Sequence, residues 1–303
     1  MNGELVQLNN VEIEDTFAEM FPMWLSRILI TAANEKWALT AGQVTTGFAS
    51  SIIASPAEAG IERLVPPSQT PDNRPGCIIH IYHRFRTNLR FQLISRIGQC
   101  VLTCPTTSAF NALPNTKRKA KAGEALSQFG DGYARRDVLY NREVWRIPVM
   151  EGEFVIEEAF GMKKAIAGGM FLILAENAEA GLKAAEKAVE AARTVEGIAL
   201  PFPGGICRSG SKVGSRKYKL GASTNDAFCP SLREKVEGSQ VPEGVSSVYE
   251  IVINGINLDS VRESVARSID AATRIPGIVK ITSSNYGGKL GPYKLQLKEL
   301  VQR

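Results

Sequence analysis

The chain has 303 residues, of which 44% are hydrophobic and 22% charged, with 27 glycines and 15 prolines. That length predicts two compact lobes, and the composition excludes a disordered, collagen-like or low-complexity chain. Lys and Arg total 36 against 31 Asp and Glu, a formal charge of +5 that suits a small anionic substrate and is too weak to imply a nucleic-acid binder by itself.

The long uncharged run Trp37–Ala57 is broken by Thr40, Gln43, Thr45, Thr46, Ser50, Ser51 and Pro56, so it is too polar to sit in lipid. Glu4 comes early, with no basic start and apolar block after it, and no secretory signal is read there. Five cysteines are few and odd in number, which points to free thiols in a reducing compartment. The expectation is a cytoplasmic protein without a membrane segment.

In chain order, short Ile-, Val- and Leu-rich runs predict strands at Arg27–Ala32, Ser50–Ala54, Cys77–Tyr82 and Cys100–Thr103. Two helices lie between them. Asn34 can cap the first, through Trp37, Ala38, Ala41 and Val44; Thr87 can cap the second, with Leu89, Leu93, Ile94 and Ile97 on one face. The loop Pro66–Asp72 separates these two β-α-β units. Asn115–Arg142 reads as an insertion that carries the tight turn Phe129-Gly-Asp-Gly-Tyr133 and a basic block, Lys117, Arg118, Lys119 and Lys121, either a solvated loop or a phosphate patch.

The second half repeats the logic. Strands are expected at Met170–Ala175, Ile198–Leu200, Tyr249–Asn254 and Ile278–Thr282, with helices at Ala180–Val195 and Leu258–Arg274. The segments Ala188–Ile198 and Ser268–Ile278 align without a gap, and each runs on to a paired glycine, Gly204-Gly205 or Gly287-Gly288. This is an internal repeat of one supersecondary unit. Two β-α-β units sharing one antiparallel sheet make a ferredoxin-like sandwich. The predicted fold is therefore α+β, two ferredoxin-like lobes related by duplication, at 1–148 and 149–303 with the boundary near Pro148–Gly152.

Several chemistries find little support. His80 and His83 point to opposite faces of a strand, and Cys100 and Cys104 lie about 13 Å apart at ~3.3 Å per residue, so no metal site is expected. Cys77, Cys100 and Cys104 read as core or strand-end residues. There is no Gly-x-Ser-x-Gly elbow, no dinucleotide fingerprint and no P-loop, and Ser209-Gly-Ser-Lys212 is too short a match to carry weight. An RNA-binding sheet would want an RNP1 strand. Thr46-Gly-Phe-Ala-Ser50 resembles its middle only, and in His83-Arg-Phe-Arg86 with Arg90-Phe91 the ring of Phe91 can simply be core.

Three glycine-rich loops remain in the second half: Pro201–Gly205, Ser211–Ser215 and Asn285–Gly291. Glycine lets a backbone approach a ligand closely, so Pro203, Gly204, Gly205, Ser211, Lys212, Asn285, Gly287, Gly288 and Lys289 are candidate binding residues; the alternative is plain turns. Asn225, within Ser223-Thr-Asn-Asp226, can hold a polar head group. Glu250 sits inside the apolar run Val248–Ile253. It is either a desolvated carboxyl that keeps its proton near neutral pH, or a glutamate at a sheet edge facing water or a lysine.

These motifs together resemble the formylmethanofuran–tetrahydromethanopterin N-formyltransferase family nearly end to end. The resemblance begins at Val11–Glu19 and continues through Leu29–Ala32, Pro56–Gly60, Gly98–Val101, Phe129–Tyr133 and Glu151–Phe154. Pro201–Gly205, Ser211–Ser215, Ser223–Asp226, Val248–Gly255 and Asn285–Gly291 complete it. It implies two ferredoxin-like lobes, distal then proximal, and formyl transfer between the amine of methanofuran and N5 of tetrahydromethanopterin. Both coenzymes are substrates, with no metal or other cofactor. It further implies a cleft at subunit contacts of a homotetramer, and a protonated catalytic glutamate that falls on Glu250. The chain departs from the family at Asn73, at Ser50 and Ser55 where cysteines are frequent, and at Met170. A bacterial member would work in a formyltransferase/hydrolase complex. The rival expectations are a non-catalytic coenzyme-binding subunit of such a complex, and an RNA-binding module.

Overall fold

A computed structural model of the protein describes residues 6–302. Glu4, and with it the reading of the amino terminus, lies outside the described residues. The described residues form two compact units, Met23–Ala165 and a second made of those up to Pro22 with those from Ile166 on. The expected boundary at Pro148–Gly152 falls on a hairpin turn that joins the strands Arg142–Val149 and Gly152–Glu157, with Val149 opposite Gly152, and this turn lies within the compact unit Met23–Ala165. The unit limits fall within two long strands, Phe17–Thr31 and Phe160–Ala175, which no linker-like composition marks.

In the unit Met23–Ala165 the sheet order is Glu58–Val65, Gly76–His83, Phe17–Thr31, Ser108–Asn111, antiparallel throughout. The helices Glu35–Thr46 and Arg86–Arg96 bury Ala38, Ala41, Leu89 and Leu93 against Ile28, Ile30, Ile79 and Ile81. Alternation sends Leu29 and Ile78 to the other face, where they meet Val65 and Phe110. The basic block holds the strand Arg118–Ala120, and the turn Phe129–Tyr133 has Asp131 and Gly132 at positive φ. Asn73, also in the left-handed region at φ 55°, fills its turn without glycine.

Two expected strands here are not strands. At Ser50–Ala54 the Ser55 hydroxyl donates to Ser51 O at 2.6 Å and accepts from Ser51 N at 3.0 Å, closing a turn. The strand starts only after Pro56, at Glu58. Cys100–Thr103 continues the second helix: Ile97–Val101 is a π-turn closed by Leu102 N to Ile97 O at 2.8 Å. A short apolar run reads the same in a strand and in a buried helix, and here the helix wins. Thr87 is not the cap. Phe85, in extended conformation, precedes that helix without a side-chain cap bond. Asn34 does cap the first helix, accepting from Trp37 N at 3.1 Å.

The other unit has the matching order: Ile278–Thr282, Phe160–Ala175, Ser247–Gly255, then Ile198–Ala199 and Ile206–Cys207, again antiparallel. The helices Ala178–Ala192 and Leu258–Thr273 cover one face, capped alike by Asn177 and Asn257. Their seam is built of small residues, and the hydroxyl of Ser268 donates to Ala188 O at 3.0 Å across it. Each helix exits through a left-handed glycine, Gly197 or Gly277, which places the repeat seen in the sequence at one structural position. Among the described residues no helix is long and apolar enough to cross a membrane.

Candidate active site

The strand Ser247–Gly255 buries Ile251 and Ile253 under the two helices, so alternation turns Glu250 to the helix-free face. There it lies in a transverse row with Leu172 and Thr282 on one side and Cys207 on the other. A cleft of about 530 Å³ opens at this row, lined by Glu250, Cys207, Arg208, Gly210, Asn225 and Tyr249 among others.

Glu250 is held above the ordinary carboxylate range by burial, and a hydrogen bond with the Cys207 thiol opposes that only in part. The thiol is itself pushed up, first by burial and then by the neighbouring carboxylate, so it stays protonated, and its Sγ also meets Ser209 Oγ at 3.6 Å. The strand is not a sheet edge at Glu250, since Leu172 lies opposite on one side and Cys207 on the other. Cys207 is the residue that the sequence did not mark. It stands 43 positions from Glu250, and only strand register makes them neighbours.

The remaining candidates divide. Asn225 is in the cleft, its amide donating to Ser284 Oγ at 3.3 Å. Pro203, Gly204 and Gly205 form a turn, with Gly204 and Gly205 at positive φ, that feeds the strand Ile206–Cys207; they do not line the cleft. Gly205 instead packs on Val189 and Leu200. Ser211 precedes the hairpin Lys212–Ser223, and Lys212 Nζ is held by both carboxylate oxygens of Asp226 at 2.6 Å. That pairing lowers the Asp226 pKa and supplies the lysine with a counter-charge inside the protein.

In the loop Asn285–Gly291 the backbone turns inward. Its backbone N–H groups do not point outward to a ligand. Tyr286, Gly288 and Gly291 donate to the Glu19 carboxylate at 2.8, 3.3 and 3.1 Å, and Leu290 donates as well. Glu19 is 3% exposed. Burial alone would raise its pKa; the four donors outweigh that and hold it below the ordinary range. The Asn285 amide donates to Thr16 Oγ1 and Phe17 O, so Asn285, Gly287 and Gly288 build the loop, while Lys289 is exposed on it. Tyr286 Oη accepts from Val213 N at 3.0 Å, which ties this loop to the neighbouring hairpin.

The features that suggested RNA binding come apart. Thr46 ends a helix and Gly47–Ser50 is a turn, not a sheet strand. Phe91 is 64% exposed and is not core. His80 and His83 have separate partners, Glu62 and Tyr82 for the first and the Phe85 backbone for the second.

With this geometry in hand, comparison with known proteins is direct. The family profile described as "Formylmethanofuran-tetrahydromethanopterin formyltransferase" matches residues 6–149, and the one described as "FTR, proximal lobe" matches residues 152–300. A formylmethanofuran–tetrahydromethanopterin formyltransferase of Methanocaldococcus jannaschii is 53% identical over 98% of this chain and 100% of its own length. The enzyme of that name from Methanopyrus kandleri is 53% identical over 97% and 100%. Among solved structures, the formyltransferase of Methanosarcina barkeri superposes with a TM-score of 0.94 at 49% identity, covering 97% of this chain and 100% of that one. A chain of the formyltransferase/hydrolase complex of Methylorubrum extorquens, solved with methylofuran, gives 0.94 at 43% identity, covering 98% and 99%. Agreement over both halves, in sequence and in backbone, leads to one conclusion: the chain belongs to the formylmethanofuran–tetrahydromethanopterin formyltransferase family.

Proposed function

We propose that this chain transfers a formyl group reversibly between formylmethanofuran and N5 of tetrahydromethanopterin, with Glu250 as its acid–base group. The observation that carries the reading is a carboxyl kept above its ordinary pKa at the wall of a cleft large enough for the reacting ends of two coenzymes. The N5 amine attacks the formyl carbon and forms a tetrahedral intermediate. As the bond to the methanofuran nitrogen breaks, that nitrogen gains a proton while N5 loses one. A protonated Glu250 donates to the leaving nitrogen, and its carboxylate then takes the proton from N5. The Asn225 amide and the backbone at Gly210 are the neutral groups beside it that can meet the oxyanion. Orientation of both substrates in one cleft contributes the rest.

The same reading takes each unit as a ferredoxin-like sandwich and the pair as a duplication, because both show the same antiparallel strand order with two helices on one face. It takes the reaction to need no metal or further cofactor. It also takes the active assembly to be a cytoplasmic homotetramer, alone or within a formyltransferase/hydrolase complex. A spectrophotometric formyl-transfer assay on the purified chain tests it. Glu250→Gln should lower kcat by roughly 10²-fold or more with coenzyme binding nearly intact. Binding without turnover in the native chain would instead mark a coenzyme-holding subunit, and unchanged turnover in the variant would overturn the role of Glu250.

A further inference from the structure

The unit Met23–Ala165 has a helix-free sheet face of its own, and a second, larger cleft of about 670 Å³ opens on it. Its floor is apolar, with Leu29, Ile78 and Ala112. Its walls are the loop Ser68–Pro71 and the tip of the hairpin that joins Arg135–Leu139 to Arg142–Val149. Three guanidiniums, Arg27, Arg63 and Arg142, line it, and no carboxylate does so among the described residues.

These guanidiniums are held in place. Arg27 donates to Glu62 through Nε at 2.7 Å and Nη2 at 2.8 Å, and to Ala112 O at 3.2 Å. Glu62 is in turn fixed by His80 Nε2 at 2.6 Å, and His80 Nδ1 meets the Tyr82 hydroxyl at 2.7 Å. Arg142 Nη1 donates to Glu157 Oε2 at 2.6 Å and Asn111 O at 3.1 Å. Arg63 Nη1 reaches Gln69 Oε1 at 3.2 Å, and its Nε lies 3.9 Å from Glu62 Oε1. Planar forks positioned in advance lose little side-chain entropy when they meet an anion.

The hairpin tip supplies a second, independent observation. Leu139 pairs with Arg142, so the turn is the two residues Tyr140 and Asn141, with φ of 55° and 58°. Asn suits that left-handed turn, but a tyrosine there is strained. The strained residue is also the one whose ring, 49% exposed, lines the cleft and lies edge-on to Phe110 at 6.1 Å. Strain retained at an exposed turn points to a use for the side chain.

We infer that this cleft binds a small, multiply charged anion of the polycarboxylate or phosphoester class, gripped by Arg63, Arg27 and Arg142 beside the ring of Tyr140. The site is separate in sequence and in unit from Glu250, and the inference does not depend on the transferase reading.

Titration calorimetry on the full chain, with citrate and with pyrophosphate as probes, tests it. At least one probe should bind at about one per chain, and which one binds distinguishes the two chemical sources. Arg63→Gln should weaken binding at least tenfold. Tyr140→Asn should weaken it at least threefold while the unfolding temperature stays level or rises, because asparagine relieves the turn. Glu250→Gln and Arg208→Gln, in the other cleft, should leave it unchanged. No binding of either probe at millimolar concentration, or binding lost in Arg208→Gln and kept in Arg63→Gln, would overturn the inference.

Discussion

At the scale of single residues, Glu250 makes a prediction about stability as well as rate. An unfolded glutamate releases its proton near pH 4.3; the folded chain holds the Glu250 proton to a higher pH. Between those two values the folded state binds more protons than the unfolded one, so stability falls as pH rises through the window and stays reduced above it. Glu250→Gln removes the penalty. The variant should therefore be the slower enzyme and, above that window, the more stable protein, with a melting-temperature gap that opens as pH is raised. Cys207 makes the complementary prediction. Its thiol favours the charged form of Glu250, so Cys207→Ala should push the carboxyl further up and move the alkaline limb of the pH–rate profile to higher pH. Activity should remain within about tenfold, as expected for a hydrogen-bond donor worth roughly 1 kcal/mol. A folded variant inactive at every pH would instead bring back a covalent formyl thioester on the thiol. Glu250 was legible in the sequence because an acid inside an apolar run is conspicuous. Cys207 was not, because nothing local couples it to Glu250.

At the scale of elements, the glycine-rich loops behave differently from one another although their composition is alike. The positive φ values at Gly204, Gly205, Gly287 and Gly288 agree with the glycine pattern, but a pattern does not say where the freed N–H groups point. In Asn285–Gly291 they converge on Glu19, an anion supplied by the protein itself, some 267 residues earlier for Tyr286. Glu19→Gln keeps the shape but turns an amide NH₂ toward donors. Loss of a charge-assisted bond worth roughly 1.5–3 kcal/mol should speed amide hydrogen exchange at Tyr286, Gly288, Leu290 and Gly291 by about tenfold or more. Unchanged protection would show that the loop holds its form without the carboxylate. The misread strands have the same origin. Ser50–Ala54 and Cys100–Thr103 are apolar enough for a strand, and only side-chain bonds from Ser55 and the continuing helix decide against it.

For the whole molecule, the mild positive charge has to be placed before it predicts anything. Lys212 is matched one to one by Asp226 and does not line the cleft. Arg208 lines the cleft and Lys289 is exposed, while Arg216, Lys217 and Lys219 are exposed between the strands Lys212–Val213 and Ala222–Ser223. If these meet carboxylates or phosphates of the coenzymes, sodium chloride should raise KM for both. At 0.1 M the screening length is about 10 Å, comparable to the reach of such contacts. Kinetics and light scattering across one salt series check this. The expected result is a rising KM with the scattering mass unchanged, and a shallower slope in Lys289→Ala and Arg208→Gln. A flat KM with an intact assembly would assign recognition to neutral groups.

By itself the sequence determined the helices, the alternating strands of the second half, the internal repeat and the acid at 250. Periodicity, asparagine caps and glycine exits are local, and each is written within a dozen residues. The limits of the two compact units were not legible in the sequence, because they fall inside continuous strands with no change of composition. The tertiary structure alone paired Cys207 with Glu250, matched Lys212 to Asp226 and drew the 285–291 loop onto Glu19. Those are register and loop-closure outcomes, set by which faces the core buries, and no single segment of the chain carries that information.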